Sequence, residues 1–259
     1  MSETPQPTLT NLSLSHPSLT PPPSHFVHQI HNLLSTQECL SLILSHKNLI
    51  ASNVTPTTIR TREAFTDYAL ATLLWSRLPF YHDTKILDEA NHSWFAVGLN
   101  ERFRLCRYEK GGKFSPHMDG RFMRTVDEQS WMAVNIYLNT VPLHCGGATR
   151  ILLELGEGRE EVLGSVQPTM GMASVFRDNL WHDGAELLSG EKYLLRTDIM
   201  YRREVPFNFE SLCSEFDDEG SGRKAMALAV ALEDSGNYEE AMKWYKKAFR
   251  LAPELERNS

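Results

Sequence analysis

The sequence has no Lys or Arg before Lys47, no long apolar run and no pair of cysteines at CxxC spacing. Each absence excludes a class. The missing early basic residues argue against a typical transit peptide, and no apolar core of a secretory signal follows the first residues, so a cytoplasmic or nuclear location is expected. No stretch approaches the ~20 apolar residues of a membrane-spanning helix, and no membrane association is expected. The four cysteines, Cys39, Cys106, Cys145 and Cys213, are scattered. They read as free thiols of a reducing compartment, neither a disulfide framework nor a zinc site. With 26 Lys and Arg against 33 Asp and Glu, the formal net charge is −7 and no basic cluster stands out. A nucleic-acid partner is therefore not indicated.

What is present suits one globular domain with an appendage: 259 residues, 41% of them hydrophobic and 23% charged. Residues 1–25 are rich in Ser, Thr and Pro, with Pro21, Pro22 and Pro23 in a row. Such a segment carries too little apolar surface to offset its ordering entropy and is expected to be a disordered tail. Order is expected from Phe26 onward. Ser35 or Thr36, with Glu38 close behind, marks a helix start near a capping box, and Leu40, Ile43 and Leu44 mark an apolar face. Leu70, Leu73 and Leu74 predict a second helix over 66–77. Between 91 and 204 the pattern changes to short β-rich runs at 94–99, 103–108, 131–138, 149–153, 173–176 and 193–201, separated by Gly, Pro and Asp. Such runs predict a β-sandwich or barrel. Residues 207–221 read as an acidic linker, and 223–255 as helical.

The chemistry concentrates in "RYEKGGKFSPHMDG", which holds His117 and Asp119. Residues i and i+2 of a strand project from one face, so one imidazole and one carboxylate reach the same point. His182, just beyond the 173–176 run, supplies a second imidazole. Two histidines and one carboxylate form a facial triad suited to non-haem Fe(II), leaving coordination positions open. Lys192 opens the next strand. An ammonium buried among apolar strand residues is costly unless it meets an anion. Arg196 lies four residues on, on the same face, and either cation could hold a carboxylate.

From about 95 to 201 the chain resembles the prolyl 4-hydroxylase-type 2-oxoglutarate/Fe(II) dioxygenases. The resemblance is carried by Tyr108, Gly111, Phe114, His117 and Asp119, then Gly146, Gly147 and Thr149. Pro168, Gly171, Ala173, Phe176, His182 and the Gly190-x-Lys192 pair follow in order. It implies a mainly β fold with α, a double-stranded β-helix or jelly roll, with N-terminal supporting helices. It implies Fe(II) held by His117, Asp119 and His182, and 2-oxoglutarate as cosubstrate, with ascorbate as a helper. Lys192 would pair with the distal carboxylate of the cosubstrate, Tyr108 and Tyr137 would line its pocket, and strand parity puts Asn135 beside Tyr137. Arg196 is expected in the pocket wall or at the substrate. The polar segment 120–130 is expected to be a mobile lid.

At the C-terminus, Leu228, Ala229, Gly236, Tyr238, Ala241, Tyr245, Ala248 and Pro253 match the spacing of one tetratricopeptide repeat. One such helical hairpin cannot bury its apolar face alone and must dock on its own domain or on a partner. The expected organisation is a tail at 1–25, a dioxygenase domain at 26–206 with its core at 94–203, a linker at 207–221 and the hairpin at 222–256. The expected function is hydroxylation of an unactivated C–H bond, by family weight in a prolyl residue of an intracellular protein. The alternatives are a free amino acid or other small molecule as substrate, or a non-catalytic adaptor acting through the C-terminal repeat.

Overall fold

The computed structural model describes residues 6–14, 26–52, 57–156 and 159–258. Strands β1 (Thr8–Leu12) and β2 (Val27–His31) precede helix α1 (Thr36–Ser45); β3 (Ile50–Ala51) and β4 (Thr61–Thr66) precede α2 (Tyr68–Ser76). There follow β5 (Lys85–Leu87), β6 (Ser93–Leu99), β7 (Arg102–Tyr108), β8 (Phe114–His117), β9 (Met123–Thr125) and β10 (Glu128–Tyr137). Then come β11 (Thr149–Gly156), β12 (Arg159–Val166), β13 (Ala173–Arg177), β14 (His182–Gly184) and β15 (Lys192–Arg203). Helices α3 (Phe209–Leu212), α4 (Asp218–Asp234) and α5 (Tyr238–Leu251) end the chain. Among the described residues no helix is long and apolar enough to cross a membrane.

The chain divides into two compact units, with boundaries inside β6, β10 and β15. The first comprises Met1–His82, Gly98–Gly120 and Trp131–Ile199; the second comprises Asp83–Val97, Arg121–Ser130 and Met200–Ser259. This interleaved division replaces the linear one expected from composition.

The first unit is a jelly roll of two antiparallel sheets. The larger has the order β1-β2-β13-β10-β15-β7-β4-β3 and the smaller β12-β11-β14-β8. Alternation of apolar and polar residues along the strands sends one set of side chains inward. Val27, Ala133, Tyr137, Phe176 and Leu194 of the larger sheet meet Ile151 and Val166 of the smaller, all buried. The predicted strand runs are all present; β12, with five of its eight residues exposed, lacks a readable apolar pattern. Part of the expected tail is ordered: Thr8–Leu12 pairs with Val27–His31 as the edge of the large sheet. Its ladder hydrogen bonds supply what its composition does not. The rest of the expected tail, 1–5 and 15–25, lies outside the described residues.

Helix α1 starts as the sequence requires. Ser35 Oγ accepts from the Glu38 amide at 3.2 Å, and the Glu38 carboxylate accepts from the Ser35 amide at 2.8 Å. Arg77 clamps the same carboxylate through both guanidinium ends, at 3.0 and 2.7 Å, and holds its pKa down to about 2. The predicted apolar face does not form: Cys39 is the buried residue of α1, while Leu40 and Leu44 are exposed. The Arg77 clamp on the first turn fixes the rotation of this short helix more strongly than its leucines do.

In the second unit, β5 pairs with β6, β9 pairs with β10, and α4 and α5 form a helical pair joined by three residues. Small residues line the contact: Ala225 and Ala229 on α4, Ala241 and Ala248 on α5. At Gly222 a Cβ would stand 2.5 Å from that of Ala252, so only glycine admits this approach. The expected acidic linker instead includes α3 and the start of α4, where Asp217 caps the helix and Asp218 and Glu219 oppose its positive end. The expected lid is likewise not a free loop. Phe122 and Met123 are buried, and Phe122 and Ser130 exchange two hydrogen bonds at 2.8 Å. The Met123 amide donates to Ser235 Oγ at 2.8 Å, and Asn237 Nδ2 donates to the Arg124 carbonyl. Met123, Val126, Leu232 and Ala241 share one apolar cluster. The polar sequence of 120–130 conceals this because Met123 and Val126 meet residues about 110 positions away.

Leu232 is fully buried in that cluster. Leu232→Ala is expected to cost about 2–5 kcal/mol. Hydrogen exchange should then speed up in α4, α5 and residues 122–126 together, while β11, β13 and β14 keep their protection.

Candidate metal and cosubstrate site

Strand β14 lies between β11 and β8, and its register sets His182 directly opposite His117. Directly paired residues of neighbouring strands point to the same face, and the two imidazole centres are 4.3 Å apart. Each ring is oriented by the backbone two residues upstream: His117 Nδ1 meets the Ser115 carbonyl and His182 Nδ1 meets the Leu180 carbonyl, both at 2.8 Å. A carbonyl can only accept, so Nδ1 carries the proton and the Nε2 lone pair is free on both rings. Phe114 tilts against His117 at 3.9 Å and Phe176 meets His182 edge-on at 4.7 Å, which fixes the ring planes.

Asp119 follows β8, with its amide donating to the Asp178 carbonyl at 2.9 Å. Its Oδ1 is 3.4 Å from His117 Nε2 and its Oδ2 is 3.7 Å from His182 Nε2. One ligand atom from each residue lies within 4.8 Å of the other two. Oδ2 is buried without a hydrogen-bond partner. A buried carboxylate oxygen left without a donor and facing two imidazole lone pairs is a cation site in its chemistry. The donor set therefore fits a divalent metal. Burial disfavours the charge on Asp119, but Arg196 at 3.0 Å, with His182 and His117, outweighs it and holds the carboxyl well below its usual range. Burial lowers the pKa of His182, which keeps its imidazole neutral.

The cosubstrate end lies across β15 and β7, where Lys192 is the Cα partner of Tyr108. Lys192 is 2% exposed; its Nζ donates to the Gly147 carbonyl at 2.6 Å and lies 5.1 Å from the Tyr108 ring centre. Gly147 adopts φ +75°, which glycine tolerates and other residues rarely do, and so turns its carbonyl onto the ammonium. Burial pushes the Lys192 pKa down to about 8. A buried ammonium held by one carbonyl and two aromatic faces, with no carboxylate in hydrogen-bond reach among the described residues, suits an anionic ligand. Tyr108 lines the same cavity, and burial raises its phenol pKa.

The cavity brings together seven of the eight residues singled out from the sequence: His117, Asp119, His182, Lys192, Tyr108, Asn135 and Arg196. Asn135 offers a buried Oδ1 without a partner. Tyr137 stands one layer back, its hydroxyl donating to Thr149 Oγ1 at 2.9 Å and meeting Ser174 Oγ at 3.0 Å. Thr149 takes its place at the cavity wall. Arg196 is engaged by the protein itself, bonded to Asp119 and, at 3.2 Å, to Asp198. Sequence reasoning missed Arg60, Arg104 and the side chain of Thr149. Arg104 shares its strand face with Tyr108 and was readable by parity; Arg60 is brought in by β4 pairing alone, and no local pattern marks it.

Residues 103–197 match the family model described as the 2OG-Fe(II) oxygenase superfamily. Over those residues the chain is similar to 2-oxoglutarate/Fe(II) oxygenases, which supports an enzyme of the dioxygenase class. No curated protein matches it significantly. Among solved structures, it resembles the viral collagen prolyl hydroxylase of Paramecium Bursaria Chlorella virus-1 in its 2OG complex, at 17% identity. That match covers 70% of this chain and 96% of the other, with a TM-score of 0.43. A prolyl-4-hydroxylase of Pseudomonas putida is similar at 17% identity over 69% and 93%, TM-score 0.45. HygX of Streptomyces hygroscopicus, with nickel and 2-oxoglutarate bound, is similar at 14% identity over 69% and 83%, TM-score 0.45.

A metal titration checks the triad. Wild-type protein should bind one Mn(II) or Fe(II), and Asp119→Ala, which removes the anionic ligand, should weaken binding at least 100-fold with the thermal transition of the metal-free protein retained.

Proposed function

We propose that the protein is a 2-oxoglutarate- and Fe(II)-dependent hydroxylase, with His117, Asp119 and His182 as metal ligands and Lys192 as the anchor of the cosubstrate's distal carboxylate. The observation that carries this reading is the orphaned Asp119 Oδ2 facing two Nε2 lone pairs, with an uncompensated buried ammonium in the same cavity. Iron bound here would supply, with O2, the decarboxylation of 2-oxoglutarate to succinate coupled to conversion of a C–H bond to C–OH. The protein's part is placement. The Nδ1–H donors hold both imidazoles in their ligating tautomer, and Arg196 holds Oδ1 so that Oδ2 is left for the metal. Lys192 donates to the distal carboxylate, with Thr149 and Tyr108 beside it. Phe114 and Phe176 exclude water from the imidazole edges. Lys192 is favoured over Arg196 for the cosubstrate because Asp119 and Asp198 already occupy the Arg196 guanidinium.

The family resemblance weights the acceptor toward a prolyl residue of an intracellular protein. The charge of the cavity favours the alternative of a small molecule, since four cations line it. Ascorbate in the assay is expected to prolong turnover. The α4–α5 pair is read as a tetratricopeptide-like repeat on its small-residue contacts, and its exposed Tyr238 and Met242 would face a protein partner.

Succinate release from 2-oxoglutarate, measured with Fe(II) and ascorbate, tests the activity. Wild type should produce it and His182→Ala should fall to background; equal release by both would remove the metal assignment. Lys192 gives a separate test through pH. Its charged form binds the carboxylate and deprotonates near pH 8 in the unliganded protein. The affinity for 2-oxoglutarate should therefore be level below that pH and fall as pH rises above it, by up to about tenfold per unit. Lys192→Met should bind weakly at every pH and lose the slope, as titration with Mn(II)-loaded protein would show.

A further inference from the structure

The four cavity cations are Arg60, Arg104, Lys192 and Arg196. On the reading above, Lys192 belongs to the cosubstrate, and Arg196 is taken by Asp119 and Asp198. Arg60 donates to the Tyr108 hydroxyl at 3.2 Å and stacks 3.9 Å over Phe114, at the cosubstrate end. Arg104 is different. Among the described residues it makes no hydrogen bond or ion pair, although it lines the cavity. Its Cα partners are Arg196 on β15 and Ala64 on β4. Cross-strand partners share a face, and so do residues two apart on one strand, which brings Arg62 to the same face. Arg62 also has no hydrogen bond or ion pair among the described residues.

Three guanidiniums thus stand on one face of three adjacent strands, and like charges so placed repel. Burial, then the neighbouring Arg196, pulls the Arg104 pKa down against the opposing pull of Asp198 and Asp119, and Arg62 adds a smaller downward effect. Ala64, the Cα partner of Arg104 on β4, ends at its Cβ and offers it no polar group. An oxyanion between Arg104 and Arg62 relieves the repulsion, and two planar forks match a carboxylate or a phosphate. Arg196, on the next strand, is bonded to the proposed metal ligand Asp119. An anion at Arg104 therefore lies beside the triad.

We propose that the substrate is a small acid whose oxyanion group, carboxylate or phosphate, docks on Arg104 and Arg62 and so presents its C–H bonds to the metal position. The oxygenase reading supplies the reaction; the anion site stands on the arginines alone.

The test uses full-length protein loaded with Mn(II) and 2-oxoglutarate, titrated with inorganic phosphate and with acetate at constant ionic strength. Binding is read from the water-proton relaxation of the bound Mn(II). One of the two anions should saturate a single site, which also identifies the group. Arg104→Gln and Arg62→Gln should each weaken it at least tenfold, and Arg104→Lys, which keeps charge but not the fork, should fall between. Saturation by neither anion in wild type, or equal affinity in Arg104→Gln, overturns the proposal. If Mn(II) and 2-oxoglutarate fail to bind wild type, the oxygenase reading falls by itself. The same anions titrated into metal-free protein, followed by tryptophan fluorescence with the same variants, then decide the anion site.

Discussion

The antiparallel pairing of β8 with β14 is the constraint on which the candidate site depends. It sets His117 and His182 side by side with no intervening residue, and the carbonyls of Ser115 and Leu180 fix both tautomers. Both donors are backbone-directed, and Phe114 and Phe176 then fix the ring planes. Asp119, two residues past His117, is then carried to the same point by the chain itself. A slip of β8 by one residue against β14 would turn His117 to the other face of the sheet and part it from His182.

Around that pairing the protein places more charge in its interior than a core of this size accepts without cause. Asp119 lies between two imidazoles and Arg196, and Arg196 is shared with Asp198, whose own carboxyl is pushed up by burial. Lys192 has only a carbonyl and two aromatic faces. Each is costly in an apolar setting unless a complementary charge arrives. The stability of the unliganded jelly roll is therefore expected to be lower than its apolar core alone would give, with metal and cosubstrate binding making up the difference.

The second unit turns a polar stretch into fixed structure. The segment 121–130 has few apolar residues, yet Met123 and Val126 find Leu232, Ala241 and Trp244 of the helical pair. Phe207 and Phe209 also pack with Trp244. A helical pair of this length is marginal alone; its burial against 121–130 and the chain before α4 gives it a core.

The sequence alone determined the β-rich architecture, the capping box at Ser35 and the candidate triad His117, Asp119 and His182. These signals are local or have fixed spacing: alternation along a strand, a three-residue cap, a His-x-Asp tripeptide followed by a matched series of landmarks. The tertiary structure decided the rest. Tyr137 withdraws behind Thr149 because Ser174, on the paired strand β13, takes part of its hydroxyl. Arg196 is claimed by Asp119 because strand β15 passes the end of β8. Arg60, just before β4, and Arg104 on β7 meet at the cavity because those two strands pair, and the apparent loop at 121–130 is fixed by helices about 110 residues further on. Contacts of this kind join residues that share no periodicity and no spacing, so no pattern in the linear chain encodes them; only the closure of the sheets brings them into reach.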